Sequence, residues 1–401
     1  MARNSFLVFD SDMHVHEPHD LYLKYMDPKW GDRIPRAEPR THYSFHFFRD
    51  ANGQPIRKTR FLAELRSQGI TALASRMASV AHKYDYALTH DFDAPSQVVA
   101  MDTEEIDVAV MFRTFPLITD DTLEPEYALA LARAWNDWIT DFCRCDPVRM
   151  KAAGLIPLHD VDMAVDEARR LKRLDHVGVC LTPEPHCGRH LHDTYFDPLW
   201  AELERLDLAA TFHHSPHPNL ESVTNRFPGH PNSTTLTKTF QNNLDEIMGL
   251  ASLIIGGVLE RFPRLRVAML EGNCSWVPWL LYRMDEAWEQ KGAWEETPLS
   301  LKPSEYFLRQ CYVSVDADEY LVADVVRRIG DDNVVFSTDY PHNDSSYPEA
   351  TSKLLRVMAA EGLSEKTMRK ILWDNCAGLY SVPTPPAAFA HVQETTSSTR
   401  G

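Results

Sequence analysis

Short runs of apolar and β-branched residues recur along the chain, each bounded by turn residues or charge. Eight stand out: FLVFD (6–10), IDVAVMF (106–112), AAGLIPL (152–158), VGVCLT (177–182), LAATFH (208–213), RVAMLE (266–271), CYVSVD (311–316) and VVFSTD (334–339). Most are continuous rather than alternating, the pattern of strands buried on both faces of a parallel sheet. Between them lie segments with apolar residues at helical spacing, such as 125–144, 162–174 and 196–206. The last of these opens on Asp197 as an N-cap with Pro198 in the first turn. The longest, NNLDEIMGLASLIIGGVLERFP, predicts one helix over 242–263 that stops at Pro263. Strands alternating with helices predict βαβ units, and eight such units predict an α/β fold, a closed (β/α)₈ barrel of the TIM type.

One segment breaks the rhythm. Residues 27 to about 100 hold Pro, Gly and charge where the first barrel helix is due, with a hairpin signal at Asn52–Gly53. They read as an insertion after the first strand, on the face where such barrels diversify. Its aromatic stretch HYSFHFF (42–48) suits a lid over the site or a contact with a second subunit. The final residues, 383–401, are rich in Pro, Ser and Thr without periodicity and read as a mobile tail. The expected organisation is therefore one barrel domain over 1–382 and a tail.

Composition narrows the partners. A net charge of −17 over 401 residues argues against nucleic acid or an anionic membrane, both of which reward a basic surface. Seven cysteines without metal-knuckle or redox spacing suit reduced thiols in a cytoplasmic protein. The N-terminus turns acidic before a leader core develops, and no run approaches the roughly 18 apolar residues of a membrane span. That excludes partners without naming one. Trp276, Trp279 and Trp288 on apolar helices suggest more buried surface than a barrel's outer ring requires, which packing within the ring or against the insertion would account for, as would a homodimer.

The chemistry of such a barrel gathers at the C-terminal ends of its strands. The first strand delivers His14 and His16, two apart and so on one face, with Asp12 sharing it. The second ends in Arg113, whose guanidinium could clamp a substrate carboxylate or pair with a nearby acid. The fifth ends in FHHSPH, offering His213, His214 and His217. Glu271 ends the sixth, Asp316 and Asp318 the seventh, and Asp339 the eighth, followed by His342. Any one of these, alone, is more often a hydrogen-bonded structural residue than a ligand. Imidazoles and carboxylates from several strand ends are together the ligand set of zinc and its neighbours. Buried without a cation, each such group would cost several kcal/mol, roughly.

The D-x-H-x-H of Asp12, His14 and His16, the adjoining HEP, the block 256–286, FSTDYPHND (336–344) and RKILWDNCAGLY (369–380) occur in order. In these the chain resembles the amidohydrolase-related metal-dependent hydrolases, the branch of the amidohydrolase superfamily that includes aminocarboxymuconate-semialdehyde decarboxylase. The resemblance implies a distorted (β/α)₈ barrel with one divalent metal ion, usually zinc and sometimes manganese. It carries over His14, His16, His213 and Asp339 as ligands. Glu17 competes with His16. His214 competes with His213, which both strand pattern and resemblance favour. Many relatives have a histidine where this chain has Glu271.

A bound divalent ion lowers the pKa of water towards 7, and Asp339 would serve as general base. His217, Glu271 and His342 are candidates for the second titratable group. The leading expectation is a hydrolase of C–N, C–O or activated C–C bonds in a small cyclic or aromatic substrate, through metal-activated water. The alternative is a non-oxidative decarboxylase of an aromatic or muconate-type acid, from which Glu271 leans slightly away. The third, a non-catalytic binding scaffold, needs a lost ligand, and none is lost.

Overall fold

In a computed structural model of the chain, the described residues are 6–38, 45–47, 52–53, 81–114, 120–214, 233–296, 299–342 and 344–382. Each of the eight apolar runs yields a strand of one sheet. In chain order the strands are β1 (Phe9–His14), β2 (Arg36–Glu38), β3 (Phe45–Phe47), β4 (Val108–Phe112), β5 (Met150–Leu155), β6 (Gly178–Leu181), β7 (Ala209–His213), β8 (Val267–Leu270), β9 (Cys311–Val315) and β10 (Val334–Phe336). All but β2 and β3 join in the order β1-β4-β5-β6-β7-β8-β9-β10, each neighbouring pair parallel. Their residues are buried almost throughout, as a sheet covered on both faces requires. Helices alternate with the strands, and the architecture is a (β/α)₈ barrel.

The barrel closes between β1 and β10 without a regular ladder. The Ser11 hydroxyl donates to the Phe336 carbonyl at 2.8 Å, and the His14 amide donates to the Tyr340 carbonyl at 2.6 Å. Asp10, fully buried in this seam, accepts from the Thr338 amide at 3.2 Å and from the Thr338 hydroxyl. Register against β4 slips between Asp10 and Met13, a bulge-like irregularity that turns the end of β1 towards the barrel mouth. This is the distortion the resemblance implied, and it lies beside Asp12 and His14.

The helices begin and end for local reasons. Asp93 caps Ala94–Thr103 by accepting from the Ser96 amide at 2.9 Å, and Asp160 caps Val161–Arg173 through Met163 at 2.9 Å. The single helix expected over 242–263 is two: Ser233–Ile255 and Val258–Arg261. Gly257 at φ 77° takes the left-handed conformation that ends the first. A Cβ on Gly256 would lie 2.1 Å from that of His192, so the chain there is too close to a neighbour for any side chain.

Two expectations about the insertion shift. The helix Ala94–Thr103 lies within its expected bounds, yet leads straight into β4 and donates from Gln97 Nε2 to the His14 carbonyl at 3.0 Å. The antiparallel pair described here joins β2 to β3, upstream of the Asn52–Gly53 signal. Of the stretch 42–48, residues 45–47 form β3 and the others lie outside the described residues, as does the tail 383–401. All seven cysteines are free thiols, and no described helix is long and apolar enough to cross a membrane.

Candidate metal centre

Four strand ends meet at the barrel mouth. Asp12 and His14 close β1, His213 closes β7, Glu271 follows β8 and Asp339 comes three residues after β10. Glu271 and Asp339 have φ of 62° and 54°, left-handed backbone that costs a residue with a Cβ on the order of 1 kcal/mol. That strain turns both carboxylates inward.

The imidazoles define the centre. His14 Nε2 and His213 Nε2 face each other at 3.0 Å. Their other ring nitrogens are committed: His14 Nδ1 donates to the Arg113 carbonyl at 2.7 Å, and His213 Nδ1 to the His214 carbonyl at 2.9 Å. These bonds fix the ring orientations and leave each Nε2 facing the centre. Burial, and then the neighbouring His342, hold His14 well below the usual imidazole range, so it stays neutral. Backbone carbonyls that fix the outer nitrogen are the usual support of metal-binding histidines.

Carboxylates surround the pair. Glu271 Oε2 lies 2.6 Å from His213 Nε2 and 3.5 Å from His14 Nε2. Asp12 Oδ1 lies 3.4 Å from His14 Nε2, and Asp339 Oδ1 3.5 Å from it. Asp12 is wholly buried, and neither of its oxygens has a hydrogen-bond partner. Burial accordingly pushes its carboxyl well above the ordinary range. Burial would raise Glu271 too, but His214 and His213 hold it well below. Donor atoms of Asp12, His14, His213 and Glu271 all lie within 4.8 Å of one another, as do those of His14, Glu271, Asp339 and His342. Imidazole nitrogen, carboxylate oxygen and an orphaned buried acid together fit a divalent cation.

His342 Nδ1 lies 2.5 Å from Asp339 Oδ1, and its ring lies 4.1 Å from that of His14. Burial and the charge of Glu271 raise Asp339 to about 8. Burial alone would lower His342, but the Asp339 carboxylate outweighs it and raises the imidazole to about 10. Beside this pair opens a cavity of about 130 Å³, bordered by Glu271, Asp339, Asn243, Asn273, Asp316 and Ser345.

Of the residues singled out from the sequence, His14, His213, Glu271, Asp339 and His342 converge. His16 stands past the last residue of β1, so strand alternation does not reach it, and its ring packs edge-on against Phe92 at 4.2 Å. Glu17 accepts from the Thr114 amide at 3.0 Å and Trp135 Nε1 at 3.1 Å. His214 Nδ1 is 3.8 Å from Glu271 Oε2. Arg113 is 4% exposed, bonds the His214 carbonyl at 3.5 Å, and has no carboxylate within ion-pair distance among the described residues. His217 lies outside the described residues. Asp12 was noted in the sequence as sharing the face of His14 but not placed among the ligands. The two-residue spacing was the signal that could have put it there.

The chain belongs to the Amidohydrolase family, whose model matches residues 11–382. It is an amidohydrolase-superfamily enzyme of the branch that the sequence motifs indicated. The gamma-resorcylate decarboxylase of Rhodococcus jostii (strain RHA1) is 26% identical over 300 residues, which cover 70% of this chain and 85% of that protein. The 2-amino-3-carboxymuconate-6-semialdehyde decarboxylase of Dictyostelium discoideum is 24% identical over 251 residues, 62% of this chain and 67% of that one. The fold is shared with a 5-carboxyvanillate decarboxylase of Novosphingobium aromaticivorans, solved with manganese and 4-hydroxy-3-methoxy-5-nitrobenzoic acid. There the TM-score is 0.68 at 19% identity, covering 95% of this chain and 97% of that one.

Proposed function

We propose that this protein is a divalent-metal-dependent, non-oxidative decarboxylase of a small aromatic carboxylic acid. The observation that carries the proposal is the pair of facing imidazoles, His14 and His213, with the unpartnered Asp12 carboxylate beside them. His14, His213 and Asp339 would hold the ion, with Asp12 and Glu271 within reach of it. The sequence alone put hydrolysis ahead of decarboxylation. The relatives reverse that order, since both curated proteins act by removing carbon dioxide. Zinc or manganese as the ion, a homodimer and a cytoplasmic setting belong to the same proposal; manganese is supported by the ion solved in the 5-carboxyvanillate enzyme.

The reaction breaks the bond between ring and carboxylate, releases CO₂ and leaves an electron pair on the ring carbon, which must gain one proton. The bound cation would supply positive charge against substrate oxygens and orient the ring. Asp339, which borders the cavity and meets His342, delivers that proton to the carbon. His342, 2.5 Å away, restores the proton to Asp339 from solvent. Arg113, buried and without an acidic partner among the described residues, binds an anionic group of the substrate through its forked donors. The test is the metal-loaded protein with a panel of hydroxylated aromatic acids, following CO₂ and ring absorbance together. Stoichiometric CO₂ is expected; hydrolysis of amides, esters or lactones without CO₂ from any acid would restore the hydrolase.

A further inference from the structure

Tyr84 sits at the end of the short turn Ala81–Tyr84, where the segment inserted after β1 returns to the barrel. It is 6% exposed and touches the loop after β10 in three ways. Its hydroxyl donates to the His342 carbonyl at 2.7 Å. Its ring stacks on Tyr347 at 5.4 Å and 12°, and meets Tyr340 at 5.8 Å. The adjacent Lys83 reaches the Ser345 carbonyl at 3.4 Å. The insertion therefore grips residues 340–347 from outside, and the same loop presents His342 Nδ1 to Asp339 at 2.5 Å. From Tyr84 to Asp339 the path is two hydrogen bonds through one residue.

We infer that Tyr84 is a positioning residue for the reaction: its hydroxyl fixes the backbone at His342 and so the angle at which that imidazole meets Asp339. The inference rests on the proposed role of the Asp339–His342 pair. Other contacts hold the loop roughly in place. The Ser345 hydroxyl donates to the Thr338 carbonyl at 2.8 Å, and the Ser345 amide shares the His342 carbonyl at 3.1 Å. Losing one hydroxyl should thus loosen the loop without unfolding it. Geometry within about half an ångström is what separates a productive proton transfer from a slow one. A small displacement at His342 is felt in turnover rather than in binding.

The experiment is Tyr84→Phe in the metal-loaded enzyme, which keeps the ring stack and removes only the hydroxyl. We expect kcat to fall about five- to tenfold, the worth of one hydrogen bond, with KM within roughly twofold. Amide hydrogen exchange over 340–347 should quicken while other segments and the melting temperature hold. On a His342→Gln background, Tyr84→Phe should add nothing, because it acts through that imidazole. A merely structural role predicts losses that multiply in the double variant, and that result overturns the inference. So does a kcat unchanged by Tyr84→Phe, or exchange over 340–347 that does not move. If no aromatic acid is turned over, the decarboxylase proposal fails, and the exchange measurement still decides whether Tyr84 holds the loop.

Discussion

Two buried carboxylates in this molecule have opposite surroundings. Glu167 and Asp12 are both fully removed from solvent. Glu167, on the helix Val161–Arg173, accepts from Arg133 Nε at 2.7 Å, Asn136 Nδ2 at 2.8 Å and Arg170 at 2.7 Å. Asp12, at the barrel mouth, accepts no hydrogen bond; His14 and His213 stand 3.4 and 3.8 Å from it, and Glu271 and Asp339 add like charge. Burying a carboxylate costs several kcal/mol, roughly, unless something answers its charge. Between the helices the fold provides that answer itself. At the barrel mouth Asp12 has for that answer only the imidazoles of His14 and His213 near it. Glu167 is answered by arginines; Asp12 accepts no hydrogen bond at all.

The largest test of this contrast removes the chemistry at one end of it. Asp339→Asn keeps the shape and loses the proton, so kcat should drop about a thousandfold while the far-ultraviolet spectrum stays that of the wild type. Activity within tenfold of wild type would remove Asp339 from the reaction. Next comes the other end. Glu167→Ala strands Arg133, Asn136 and Arg170, and should lower unfolding free energy by about 2 kcal/mol in urea titration. Its kcat per folded molecule should not change. A loss of turnover in Glu167→Ala at full stability would mean that the two regions are coupled rather than distinct.

How far each region can be read from sequence follows from the range of the forces involved. The eight strands are visible because a strand buried on both faces needs an unbroken apolar run, and that is a local pattern. The break at Gly256–Gly257 is less so: the apolar rhythm continues across it, and what interrupts the helix is partly the close approach of His192, distant in sequence. The convergence of His14, His213, Glu271 and Asp339 was legible because all four stand at or just past strand ends, which a barrel brings together. The place of His16 was not. Alternation assumes a continuing strand, whereas β1 stops at His14, and the irregularity between Asp10 and Met13 already alters its register. Tyr84 was invisible for a different reason: nothing local to it announces a contact with a carbonyl 258 positions away.

A finer test reverses the sign of the first two. In metal-free protein, Asp12→Asn replaces a buried acid that lacks partners with a neutral amide of the same shape. Stability should rise, or at least hold, by up to about 1 kcal/mol in the same urea titration. With metal the same substitution should weaken binding more than tenfold, about 1.4 kcal/mol, in competition with a chelator. Glu167→Ala should do neither. A destabilised metal-free Asp12→Asn would show that the fold already answers the Asp12 charge and that the contrast is false.

The smallest effect is expected at His16, and it divides sequence from geometry most sharply. The resemblance makes His16 a ligand; the structure sets its ring against Phe92 at 4.2 Å, outside the group formed by Asp12, His14, His213 and Glu271. If Asp12 takes the place the resemblance gives to His16, then His16→Gln should leave metal affinity within roughly threefold of wild type, the range of a substitution away from the site. Asp12→Asn, four residues earlier, should exceed it by a wide margin. Equal losses for the two would return His16 to the ion and mean that the end of β1 rearranges when the cation binds.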